Sequence, residues 1–222
     1  MNPLTIALPK GRLLEPSCEL FRRLGWPCDL GNGSRQLVVT ETADRPDGPT
    51  PLRFMLVKAA DVPVYVEYGA ADLGLVGQDV LWESGRDVYE PLQLRFGRCR
   101  LVVAGVPSQR DRDLRLTTDL RVATKYPGLA QAYFRERGLS IEVIPLSGSV
   151  ELAPLAGLAD LLVDLVETGR TLHENGLVEL HEILTFQATV IVNRAAHRLR
   201  LAEIRHLLAD LDQADQEIHP RS

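Results

Sequence analysis

Two stretches share one frame: residues 69–85, GAADLGLVGQDVLWESG, and residues 157–176, GLADLLVDLVETGRTLHENG. Both begin Gly-x-Ala-Asp-Leu and both end x-Leu-x-Glu-x-Gly, and the second is three residues longer around Glu167-Thr-Gly-Arg-Thr171. Each reads as an apolar strand, a turn and a helix. Chance similarity of two such units is the plain alternative; we read them as equivalent units of two similar lobes. Two α/β lobes with a cleft between them is a common ligand-binding arrangement.

Outward from these stretches, short apolar runs alternate with amphipathic ones, which predicts an α/β fold. Strands are expected at 4–8, 37–42, 52–57, 72–76, 100–105, 121–124, 142–145, 161–166 and 186–193. Helices are expected at 13–24, 62–68, 128–138 and 199–211; the last carries Ile204, Leu207, Leu208 and Leu211 on one stripe. The polar, Pro-rich ETADRPDGPTP between two early strands reads as a surface loop.

The chain has 222 residues, 45% hydrophobic and 25% charged, long enough for one large domain or two small ones. Its net charge of −5 argues against general nucleic-acid binding. Cys18, Cys28 and Cys99 form no CxxC pair, and the five His show no HxxxH spacing, so neither a disulfide framework nor a protein-held transition metal is expected. The N-terminus lacks the pattern of a signal peptide and no apolar run is long enough for a membrane span, so the expected location is the cytoplasm.

Four features carry chemistry. In LLVDLVETGRT (161–171) an apolar strand enters a small-residue turn before a helix, a geometry that binds phosphate through backbone N–H groups. Gly169 permits close approach, Thr168 and Thr171 offer hydroxyls, and Asp164 is placed to accept bonds from a sugar diol. The spacing Thr171-x-x-Glu174 equally makes an ordinary capping box. In IALPKGR, Lys10, Gly11 and Arg12 follow a strand end, which suits a polyphosphate but also a plain turn with solvated charges. Of 25 basic residues only Lys10, Lys58 and Lys125 are Lys; all lie beside strand ends or turns, though Lys125 reads most simply as a chance survivor. In PLSGSVE, Ser149 reads as an N-cap, Gly148 and the amides after it as an anion nest, and Glu151 as a buried acid or merely a first-turn carboxylate. No Ser/His/Asp or Cys/His nucleophile set is present, so the implied chemistry is transfer between bound anions by positioning and electrostatics.

Together, IALPKGR, DVPVYVEYGAADLGLVGQDVL, RVATKYP, IPLSGSVELAPLAGLADLLVDLVETGRTLHENGL and VIVNRAAHR resemble the catalytic subunit of the ATP phosphoribosyltransferase family, over residues 4 to about 198. The resemblance implies a two-lobe fold like type II periplasmic binding proteins, with the active site in the interlobe cleft. The first lobe is placed at 1–93 and 181–222, the second at 94–180. The implied reaction transfers the phosphoribosyl group of phosphoribosyl pyrophosphate to N1 of ATP, the first step of histidine biosynthesis. By position, Thr168, Gly169, Arg170 and Thr171 hold the 5-phosphate and Asp164 the ribose hydroxyls, and Glu167 belongs to the same phosphoribosyl pyrophosphate site. Lys10, Arg12, Arg35 and Lys58 face pyrophosphate and triphosphate. Gly11, Asp72, Gly77, Ser149 and Glu151 belong to the ATP site and cleft. Mg²⁺ is expected on pyrophosphate oxygens, with no protein metal site.

In VKAADVP, Lys58 and Ala59 stand where relatives generally read Arg-Pro, so charge is kept but the bidentate fork is lost. The chain stops at Ser222, which by resemblance suggests the short form without a C-terminal regulatory domain. The expected assembly is then a homodimer within a hetero-oligomer that includes a regulatory subunit resembling histidyl-tRNA synthetase. The competing readings are a non-catalytic two-lobe module binding small anions, and a phosphoribosyltransferase with another nitrogen nucleophile.

Overall fold

The computed structural model describes residues 2–30, 36–46, 48–110 and 119–220; Arg35, an expected pyrophosphate residue, lies outside them. The strands are β1 (Leu4–Pro9), β2 (Val38–Arg45), β3 (Gly48–Val57), β4 (Leu73–Gly77), β5 (Tyr89–Gln93), β6 (Cys99–Gly105), β7 (Leu120–Thr124), β8 (Ile141–Pro145), β9 (Leu161–Val166), β10 (Val178–Phe186) and β11 (Ala188–Val192). The helices are α1 (Leu14–Arg23), α2 (Val62–Glu67), α3 (Gln78–Ser84), α4 (Pro127–Glu136), α5 (Leu152–Leu155), α6 (Arg170–Glu174), α7 (Arg194–Leu199) and α8 (Leu201–Ile218).

The chain divides into two compact units, Met1–Gly97 with Gln187–Ser222, and Arg98–Phe186. Unit 1 has a sheet of order β2-β3-β1-β4-β11-β5, and unit 2 one of order β10-β6-β9-β7-β8. In unit 1, β3, β1 and β4 run parallel while β11 and β5 are antiparallel to their neighbours. In unit 2, β8, β7 and β9 run parallel while β6 and β10 are antiparallel. Setting β2 aside, the strands β1, β3, β4, β5, β6 therefore correspond in order to β7, β8, β9, β10, β11. The last strand of each half is built into the other half's sheet, and this exchange makes unit 1 discontinuous. The crossings lie at 97 and 186 rather than at the expected 93 and 180, because β10 pairs with β6 as far as Phe186↔Cys99.

Composition follows position. The parallel strand β4, LGLVG, is buried throughout, as a strand covered on both faces must be. Helix α8 buries Ile204, Leu207, Leu211 and Ala214 on one stripe and runs to Ile218, a further two turns beyond the expected end. Two edge strands escape the sequence reading. β5 is short and contains Pro91, and β10 (VELHEILTF) loses its alternation through irregularities at Glu179/His181 and Glu182/Leu184. The expected loop ETADRPDGPTP is instead the two arms of a hairpin, paired from Thr42↔Pro51 to Arg45↔Gly48. Its prolines are tolerated because β3 pairs with β1 only from Leu52 onward, so Pro49 and Pro51 have a free strand edge.

The repeat is visible in hydrogen bonds. Asp72 N–H donates to the Thr5 carbonyl (2.8 Å) and its carboxylate accepts the Thr5 N–H (2.8 Å). In unit 2, Asp160 N–H donates to the Arg121 carbonyl (2.9 Å) and its carboxylate accepts the Arg121 N–H (3.0 Å). Ala71 and Ala159, each one residue earlier, donate to the carbonyls of Tyr65 and Ala153. Each Asp thus locks the start of a parallel strand to its neighbour. Helix α3 follows β4 directly, whereas three residues, Glu167, Thr168 and Gly169, separate β9 from α6, which is the length difference seen in the sequence.

Asp160→Ala strands the Arg121 N–H and is expected to lower stability by about 2 kcal/mol, the scale of a hydrogen bond to a charged group. Asp160→Asn keeps a side-chain acceptor and should cost less. Urea midpoints of the two variants check the order.

Candidate active site

In open parallel sheets, ligands bind beyond the C-terminal strand ends. In unit 1, β1 ends into Lys10-Gly11-Arg12 and β3 into Lys58. The last pair in register is Pro9↔Val57, and Lys10 N–H donates to the Val57 carbonyl (2.8 Å), so the two lysines leave adjacent strands side by side and both are exposed. Gly11 has φ +98, which a residue with a Cβ adopts only under strain, and Arg12 follows on the surface. Gly77 ends β4; a Cβ there would sit 2.1 Å from Asp79 Oδ1, so packing of that buried carboxylate requires the glycine.

Unit 2 carries the longer turn. Gly169 has φ +76, and a Cβ on it would lie 3.0 Å from Glu179 Oε1. Thr168 Oγ1 accepts the Arg170 N–H at 3.4 Å, and Glu167, Thr168, Arg170 and Thr171 are exposed. Thr171 is not an N-cap: Gly169 holds that position, and Glu174 takes the Arg170 guanidinium at 2.7 Å, so no capping box forms. The turn borders a surface pocket of about 490 Å³ that also includes Arg110 and His173. Glu179 at its edge is neutralised by a two-pronged pair with Arg100 (2.8 and 3.0 Å).

Asp164 marks the difference between the two halves. Counting from the equivalent Asp72 and Asp160, it takes the place that fully buried Val76 holds in β4. Its carboxylate Oδ1 accepts the Leu165 N–H at 2.8 Å. Burial raises its pKa above the ordinary carboxylate value; the Leu165 N–H and Lys125 oppose the rise, and Glu151 adds to it. An acid in place of a buried valine is costly, and such costs gather at functional sites.

Lys125 is the residue the sequence reading undervalued. It follows β7, whose last pair with β9 is Thr124↔Val163, so it stands beside Asp164. That adjacency depends on strand register, which no local pattern announces. The structure therefore gathers Asp164, Glu151 and Lys125 in unit 2, and Lys10 and Lys58 in unit 1. Asp72 is not among them: its carboxylate closes the opposite, N-terminal end of β4 against Thr5 and Arg200. Ser149 is not an N-cap either. It has φ +48, its carbonyl accepts the Leu152 N–H, and α5 starts after Glu151 without a side-chain cap. Cys18, Cys28 and Cys99 are buried thiols.

A family model described as ATP phosphoribosyltransferase matches residues 58–213. The chain is 50% identical over 212 residues to an ATP phosphoribosyltransferase of Syntrophotalea carbinolica, covering 95% of this chain and 94% of that one. It is 47% identical to one of Caldanaerobacter subterraneus, covering 95% and 97%. Among solved structures, an ATP phosphoribosyl transferase (HisG:HisZ) complex from Thermotoga maritima is similar with a TM-score of 0.79 and 33% identity, covering 96% of this chain and 99% of that one. The alkanesulfonate-binding protein SsuA from Xanthomonas axonopodis, at 16% identity and a TM-score of 0.59 over 96% and 73% of the two chains, shares the fold alone.

The raised Asp164 pKa has a stability sign. Stability associated with this group is full below the unfolded-state carboxylate pKa and is lost as pH rises through the higher folded-state value. Asp164→Asn removes that loss. Its thermal midpoint is expected above the unsubstituted protein's at about pH 8, with the gap closing toward about pH 4. A gap independent of pH contradicts the assignment.

Proposed function

The chain belongs to the ATP phosphoribosyltransferase family, and we propose how its residues divide the work of that reaction. The enzyme joins N1 of ATP to C1 of phosphoribosyl pyrophosphate and releases pyrophosphate, opening histidine biosynthesis. The observation that carries the division is the asymmetry of the repeat: only the second copy has an acid in the buried strand and three extra residues before its helix.

Unit 2 takes the phosphoribosyl part. Thr168, Gly169, Arg170 and Thr171, with Glu167 ahead of them, present an exposed turn to the 5-phosphate, and Asp164 accepts bonds from the ribose hydroxyls. Lys10, Arg12, Arg35 and Lys58 accompany the pyrophosphate and triphosphate. Gly11 and Gly77 shape the backbone there, while Glu151 acts on Asp164 and Ser149 stands two residues before Glu151. When the bond from C1 to the pyrophosphate oxygen breaks, its electron pair leaves with pyrophosphate and positive charge develops on the ribose carbon. Cations already placed on the leaving group stabilise that separation without reorganising. The lone pair of N1 forms the new bond, so no general base is required at the nucleophile.

Mg²⁺ fits as a companion of the substrate, held chiefly by pyrophosphate oxygens and offsetting their charge. Among the described residues no group of three or more His, Cys, Asp or Glu is placed to hold a metal. The Thermotoga relative is in a HisG:HisZ complex, and its 33% identity over 99% of its length supports a regulatory partner for this chain within a hetero-oligomer. A homodimer as the core of that assembly, and a cytoplasmic location, complete the proposal. No described helix is long and apolar enough to cross a membrane.

The direct test mixes near-stoichiometric protein with ATP, phosphoribosyl pyrophosphate, Mg²⁺ and pyrophosphatase, and seeks the phosphoribosyl-ATP mass. Absence of that mass with and without the regulatory subunit overturns the reading. Within an active enzyme, Lys58→Ala is expected to slow turnover by about 100-fold, the scale of a lost transition-state donor, while ATP binding weakens far less. Turnover equal to the unsubstituted enzyme's removes Lys58 from the mechanism.

A further inference from the structure

We propose that Lys125 is a positioning residue, whose ammonium holds the Asp164 carboxylate in the charged, hydrogen-bond-accepting form that the ribose hydroxyls need, against the opposing pull of Glu151. The proposal rests on the phosphoribosyl reading of unit 2 and adds a residue to it.

Geometry comes first. Thr124↔Val163 is the last register pair of the parallel strands β7 and β9, which sets Lys125 next to Asp164. The backbone on both sides of Lys125 is fixed by one buried hydroxyl. Thr124 Oγ1 donates to the Val163 carbonyl (2.7 Å) and accepts the Tyr126 N–H (2.8 Å). A lysine clamped this way cannot slide along the strand edge. The clamp joins β7 to β9 one residue before Asp164, so it sets the spacing of the two charged residues rather than that of a distant pair.

The charges come next. Among the described residues, the charged groups acting on Asp164 are Glu151, from the turn before α5, and Lys125, from the end of β7. Across β6 its partner is Val102, which is fully buried and apolar. The Leu165 N–H occupies Oδ1. Glu151 and Lys125 thus act on Asp164 with opposite signs in a half-buried setting. If the ammonium is removed, burial and the Glu151 charge act on Asp164 in the same direction, and Asp164 keeps its proton to higher pH. A protonated Asp164 gives up an acceptor site to become a donor, which weakens a contact to two hydroxyls.

The test is a pH series of phosphoribosyl pyrophosphate binding with Mg²⁺, followed by calorimetry on the intact chain between about pH 5.5 and 9, the span over which a raised carboxylate pKa is read. Lys125→Met is expected to weaken binding on the acid side of the series, approaching about tenfold at its lowest pH, and to recover as pH rises, its binding limb displaced about one unit toward alkali. Lys125→Arg keeps the charge and should stay within about threefold of the unsubstituted chain across the series. Lys125→Met with Glu151→Gln removes the competing carboxylate and should bring the limb back. A Lys125→Met defect of constant size at every pH, or one that Glu151→Gln fails to relieve, overturns the proposal. So does unchanged binding. Thermal midpoints close to the unsubstituted chain's establish that the variants are folded; if Lys125→Met is not, Glu151→Gln alone decides, a limb displaced toward acid supporting the balance of charges on Asp164 and an unmoved limb overturning it. Failure of the unsubstituted chain to bind the ligand at any pH would instead overturn the phosphoribosyl reading itself.

Discussion

Asp160 accepts the Arg121 N–H while its own N–H goes to the Arg121 carbonyl, and the same exchange joins Asp72 to Thr5. Each exchange closes the N-terminal end of a parallel pair and so sets its register. Register in a sheet is all-or-none, because a one-residue slip turns every side chain to the other face. What lies at the far end of each pair follows from it. With β7 and β9 held in this alignment, Lys125 and Asp164 emerge together. In unit 1 the Asp72 exchange sets β4 against β1, while the separate β1–β3 register, ending at Pro9↔Val57, brings out Lys10 and Lys58.

The duplication makes the functional departures measurable. The two copies agree in the Gly-x-Ala-Asp-Leu opening, in the Asp exchange and in strand order, so packing accounts for what they share. They differ where unit 2 replaces buried Val76 by Asp164 and lengthens the turn by Glu167, Thr168 and Gly169. Neither change helps the core. A half-buried carboxylate is held against its solvation preference, and a left-handed glycine costs backbone entropy. Both changes are the ones the proposed binding of an anionic sugar ligand calls for, and the family relationship supplies the reaction.

How much of this was legible in the sequence depends on the range of the signal. β4 and β9 are short runs of apolar residues after a Gly-x-Ala-Asp start and were readable, as was the three-residue difference between the copies. Signals that need a second strand were not. The hairpin arms 41–51 look like loop because prolines are punctuation until the unpaired edge of β3 is known. Asp72 resembles a cleft acid until its bond to Thr5 places it at the wrong end of the strand. Ser149 resembles a cap until its left-handed backbone is seen. Lys125 resembles a solvated charge until the β7–β9 register sets it against Asp164. In each case the local residue type was read correctly and the partner was out of reach.

The measurement closest to the central claim is a crystal structure of the protein with phosphoribosyl pyrophosphate and Mg²⁺. The account predicts the 5-phosphate on the amides and hydroxyls of residues 168–171, with the ribose hydroxyls bonded to Asp164. A 5-phosphate seated instead on Lys10 and Lys58, with Asp164 free of the sugar, would contradict it.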